Sequence, residues 1–135
     1  MPQIEWSASG LWSFGWGLVI AGVASGALIG LGFHAEDFAG GYTSWRRRLT
    51  RLGHIACIAL GMLVMLVALS PAAEATGTLA SLCFGLWRLG AVAMPTVCFL
   101  SAWRKPLRHL FAVPVLALSL AAALTLALIQ GGVSA

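Results

Sequence analysis

Residues 11–33 read LWSFGWGLVIAGVASGALIGLGF, an uncharged run that decides the fold class. At 1.5 Å per residue, a helix of this length crosses the roughly 30 Å of a bilayer's hydrocarbon core. A backbone in hydrocarbon must satisfy its own hydrogen bonds, and an α-helix does so within one segment. Trp12 and Trp16 within the run, and Trp6 just before it, place indoles where they favour a membrane interface. A first transmembrane helix is therefore expected over 11–33. The start Met1-Pro2-Gln3-Ile4-Glu5-Trp6 lacks the basic residues of a cleaved secretory signal, and the apolar run after it is long. The helix is expected to stay in the mature protein.

Inside this span, Gly22, Gly26 and Gly30 recur at intervals of four, with Ala and Ser between them. One helix face is thus nearly without side chains, so another backbone can approach closely. The seam serves either a second helix of this chain or a neighbouring subunit.

The rest of the chain follows the same logic. Of 135 residues, 60% are hydrophobic and only 9% charged, with a mean hydropathy of +0.93, whereas soluble domains carry about 25% charged residues. A water-soluble domain is excluded, and residues 1–135 are read as one transmembrane domain. Three more helices are expected, over 45–69, 79–103 and 106–129. Ser44 is a suitable N-cap for the second, which would begin in the basic zone and enter lipid near Leu52. Gly40-Gly41 marks a turn before it and Ser70-Pro71 ends it. Pro95 should kink the third helix. Pro106 suits the first position of the fourth, where a missing N–H costs nothing, and Pro114 should kink that helix. The expected architecture is an all-α, four-helix integral membrane bundle.

Charge gives this bundle an orientation. Arg46, Arg47, Arg48, Arg51, Arg104, Lys105 and Arg108 all fall in or beside the first and third connections, and the other side has no Lys or Arg. Basic connections stay cytoplasmic, so both termini and the Glu74 linker are expected outside, as in a multi-pass protein of a bacterial inner membrane. The formal net charge of +4 flanks apolar spans, so its counter-charge is anionic lipid at the cytoplasmic rim, contacted by Arg46, Arg47, Arg48 and Arg51, and nucleic acid is not an expected partner.

Few residues can carry chemistry. Arg88 lies about ten residues into the third span, where an uncompensated cation costs at least about 2.5 kcal/mol, and none of the four acidic residues lies inside a span. It either reaches the interface or meets an anionic group of another subunit, a lipid or a cofactor. His34, His54 and His109 come from three helices to the basic rim, and two facing imidazoles are the usual ligands of a b-type haem, with Arg47, Arg48, Arg51 and Arg108 available for its propionates. His54 with Cys57, and Met94 with Cys98, set soft ligands at helical spacing that suit Cu(I), although such residues more often pack. The three cysteines, Cys57, Cys83 and Cys98, all lie in apolar segments and are expected as reduced packing residues. Phosphate loops, nucleophile elbows, zinc-protease motifs and paired intramembrane carboxylates are missing. The expectation is a non-catalytic accessory or assembly subunit, with other membrane subunits as partners, in an energy-transducing (respiratory or photosynthetic) complex. The alternatives are a small haem b electron carrier and a homo-oligomeric channel or transporter.

Overall fold

The computed structural model describes residues 8–133, with side chains for residues 10–131. Trp6 and Ser134 lie outside the described residues. Four α-helices follow one another: α1 (Ala8–Gly32), α2 (Trp45–Ala68), α3 (Thr78–Trp103) and α4 (Ala112–Val133). Short 3₁₀ segments, Phe38–Gly40, Pro71–Glu74 and Lys105–Phe111, fill the connections. All four helical regions are long and apolar enough to cross a membrane.

The sequence signals act where expected at the first two connections. Gly40 and Gly41 have φ of 87° and 86°, which a residue with a Cβ adopts only under strain, and so the chain turns there. Ser44 caps α2: its Oγ accepts from the Arg47 N–H at 3.1 Å and donates to the Ala39 carbonyl at 2.6 Å. Beyond α2, Ser70 Oγ donates to the Val67 carbonyl at 2.7 Å, closing the last turn before Pro71.

The fourth span differs from expectation at its start. In place of an α-helix from Pro106 kinked at Pro114, residues Lys105–Phe111 form 3₁₀ turns and α geometry begins only at Ala112. Proline explains the change. Within a continuing α-helix the Pro114 ring would press on the Leu110 carbonyl and leave it without a donor. Starting α4 at Ala112 puts Pro114 in the first turn, where no N–H is required. Pro95, by contrast, sits inside an uninterrupted α3.

The helices pack in series. α1 lies against α2, α2 against α3 and α3 against α4, while α1 and α4 share no comparable interface. The two middle helices are accordingly the most buried and the two end helices the least. Each interface has a glycine where an added Cβ would be crowded. A Cβ on Gly61 of α2 would stand 2.8 Å from the Gly15 carbonyl oxygen of α1, one on Gly53 of α2 would stand 3.0 Å from the Phe99 ring of α3, and one on Gly90 of α3 would stand 2.6 Å from Leu118 of α4. Leu60, Val64 and Val67 of α2 meet Ala80, Cys83, Phe84, Trp87 and Ala91 of α3, with Leu11 of α1 and Ala121 of α4 closing the same core.

Candidate functional site

Because successive helices run back and forth, the α1–α2 and α3–α4 connections meet at one end. Trp45 and Arg46 tie them together: Trp45 Nε1 donates to the Ser101 carbonyl and Arg46 Nε to the Ala102 carbonyl, each at 3.2 Å. The last carbonyls of a helix have no intrahelical donor, so side chains at the start of α2 cap the end of α3.

The three consecutive arginines have three different fates, because each step along a helix turns the side chain by about 100°. Arg46 reaches α3. Arg47 turns inward and is buried, with its guanidinium carbon 4.5 Å from the centre of the Phe33 ring and 5.5 Å from that of Tyr42, and Nη1 donating to the Glu36 carbonyl at 3.4 Å. This is a pin for the connecting loop rather than a hand extended to lipid. Arg51 lies 5.2 Å from the Tyr42 ring and supports the same loop. Arg48 alone of the group is exposed with no contact of this kind described.

Gly22 and Gly26 do form a seam, and it faces α2. A Cβ on Gly22 would meet Ile58 and come 3.1 Å from Cys57 Cβ, and one on Gly26 would stand 2.8 Å from the His54 ring. Gly30 does not belong to the seam, since a Cβ there would meet nothing within 4 Å. The seam instead continues toward the other end through Gly15 and its counterpart Gly61. Sequence reasoning missed these two because Gly15 breaks the spacing of four and Gly61 lies on the partner helix.

His54 is the seam's polar member. Its Nδ1 lies 3.2 Å from the Gly22 carbonyl oxygen, and the α1 backbone at Gly26 fills the space in front of the ring. His34 is exposed in the turn after α1, and His109 is exposed in the 3₁₀ segment that packs on α3 and α4. A haem would need His54 and a second imidazole to face one another across an open slot. In His54 the Nδ1 edge is taken up by the Gly22 carbonyl and the backbone at Gly26, and His34 and His109 are exposed at the rim. For a copper ion, His54 turns to α1, and no group of three or more His, Cys, Asp or Glu that could hold a metal occurs among the described residues. Cys57, Cys83 and Cys98 are free thiols and buried.

Arg88 is half-buried on α3, and it is engaged by another group of the chain. The neighbouring polar cluster was not anticipated: Trp87 Nε1 donates to Thr125 Oγ1 at 2.9 Å, Cys83 Sγ lies 3.3 Å from the same hydroxyl, and Thr125 Oγ1 donates to the Ala121 carbonyl at 2.9 Å. These contacts join α3 to α4 deep in the apolar region, where a polar side chain needs a partner inside the protein.

Several grooves lie at the basic end. One, of about 410 Å³, is lined by Phe38, Ala39, Arg46, Thr50 and Trp103. The helix interfaces are filled by side chains, with Leu11, Val64, Cys83, Phe84 and Cys98 almost inaccessible. Fold and site together define an all-helical chain of four membrane-length helices with a basic, aromatic rim at one end. No family model matches this chain, and neither does any curated protein or solved structure.

Proposed function

We propose that this protein is a membrane-spanning, non-catalytic accessory or assembly subunit of a larger membrane complex. The observation that carries the reading is the serial packing of the helices. It leaves α1 and α4 covered by the chain on one side only, so that Ile20, Val23, Leu28 and Leu31 of α1 and Leu116, Leu120 and Leu126 of α4 are exposed. Helix interfaces filled by side chains favour a role exercised through surfaces over one exercised through an internal site. Arg88 is not part of this argument, because it is engaged within the chain.

The orientation proposed with this function has the basic rim in the cytoplasm, facing anionic headgroups, and both termini outside. Energy-transducing complexes of a bacterial inner membrane are the assemblies to examine first, since they recruit many small apolar subunits. Purification from native membranes in a mild detergent tests the proposal. Other chains should co-elute in fixed stoichiometry and be lost from Val23→Trp or Leu116→Trp, which alter the outer faces of α1 and α4. A particle containing only copies of this chain would overturn the proposal and favour a homo-oligomeric channel or transporter.

A further inference from the structure

The 3₁₀ segment Lys105–Phe111 creates a feature that an α-helix at the same place would not. With three residues per turn, side chains at i and i+3 eclipse one another, so Lys105 and Arg108 share one face. Both are exposed, and both line each of two adjoining grooves, of about 320 and 150 Å³. The larger is completed by Pro106 and His109 and the smaller by Trp45. No acidic side chain lines either groove, so two cations are held side by side with no carboxylate between them. Trp45 cannot swing away, because its indole N–H is committed to the Ser101 carbonyl.

We propose that this groove, formed by Trp45, Lys105, Arg108 and His109, binds the phosphate of an anionic phospholipid headgroup. Two eclipsed cations with an imidazole beside them match a phosphodiester, whose unesterified oxygens accept charge-assisted hydrogen bonds from more than one donor. The surroundings select a lipid over a soluble phosphate ester. Trp45 and Trp103 are exposed at this end, as interfacial indoles are, and the exposed Leu110 and Val113 continue the chain directly into the apolar span. A phosphate here therefore sits at headgroup level beside a surface suited to acyl chains. The site rests on the membrane-spanning reading and is independent of whether the protein joins a complex. It is separate from the arginine triplet, in which Arg47 is buried against the loop and Arg46 Nε donates to the Ala102 carbonyl.

The test compares two double variants that remove the same charge. Lys105→Gln with Arg108→Gln empties the groove of its cations, and Arg48→Gln with Arg104→Gln removes two exposed cations that line neither groove. Each protein is placed in nanodiscs of equal parts phosphatidylglycerol and phosphatidylcholine, and the lipid retained on release is counted by native mass spectrometry. Preferential retention of phosphatidylglycerol should fall about tenfold further in the groove variant than in the control, the effect expected on losing a charge-assisted bond of a formed site. Arg108→Lys, which keeps the charge, should retain more phosphatidylglycerol than Arg108→Gln. Equal losses in the two double variants would show diffuse attraction only and overturn the site while leaving the membrane reading intact. Displacement of the retained lipid by glycerol phosphate would overturn the choice of a lipid ligand. Failure of the wild-type protein to enter nanodiscs at all would remove the membrane reading and the site with it.

Discussion

Replacing Gly61 by alanine adds a single methyl group where the α1 backbone lies directly against α2. That Cβ would stand 2.8 Å from the Gly15 carbonyl oxygen, 3.0 Å from Val19 Cγ2 and 3.1 Å from Leu18 Cβ. Ordinary contact begins at 3.4 Å, so α1 must retreat by about 0.6 Å, the difference between 3.4 and 2.8 Å. The obstruction is backbone, which no rotamer change relieves. Overpacking of this kind costs about 1–3 kcal/mol, and alanine returns about 0.5–1 kcal/mol of helix preference, leaving a net loss centred on about 1 kcal/mol, from the difference of the two mid-range values. Gly30→Ala is the matched control, because a Cβ there meets nothing within 4 Å and only the helix preference remains. The three buried thiols provide the assay: a thiol-reactive fluorophore in detergent reports unfolding as Cys57, Cys83 and Cys98 become accessible. Gly61→Ala should melt below wild type and Gly30→Ala at or above it. Equal melting of Gly61→Ala and wild type would refute the close approach of α1 and α2.

Three further outcomes follow from named contacts. Ser44→Ala removes the cap between Ala39 and Arg47 and should cost about 0.5–2 kcal/mol in the same melting assay. Arg47→Gln should raise hydrogen exchange over residues 34–44, whereas Arg48→Gln should leave it unchanged, since Arg47 and not Arg48 holds the loop through Phe33, Tyr42 and Glu36. Arg88→Leu should lower the melting midpoint of the isolated protein, because the group that engages Arg88 loses its partner; a rise would place its compensation outside the chain.

What could be read from the sequence depended on whether a signal was local. The four spans are visible as long apolar runs, and Gly40, Gly41, Ser44 and Ser70-Pro71 act through neighbours within a few residues, so their roles are evident without a structure. The effect of Pro114 is not legible locally, because it depends on where the α-helix begins, and a 3₁₀ start is a competing solution. Ala39 has a φ of 56° in the turn, a conformation its identity does not announce. The site was less legible than the fold. Adjacent arginines look alike in sequence, yet whether each meets α3, the loop or solvent is set by rotation about α2. His34, His54 and His109 share a depth by topology, but their directions depend on packing partners, and His54 points at α1. The pairing of Gly15 with Gly61 required knowing which helices are neighbours.

The claim on which everything else stands is that four spans cross the membrane with both basic connections on the cytoplasmic side. Labelling of intact cells with a membrane-impermeant thiol reagent tests it directly, using Ala73→Cys in the α2–α3 connection and Thr43→Cys in the α1–α2 connection. The native cysteines are buried and give a low background. The account predicts that Ala73→Cys is labelled from outside and that Thr43→Cys is labelled only after the cells are opened. Labelling of Thr43→Cys from outside, with Ala73→Cys protected, would contradict the orientation, and labelling of both from outside would contradict the crossing itself.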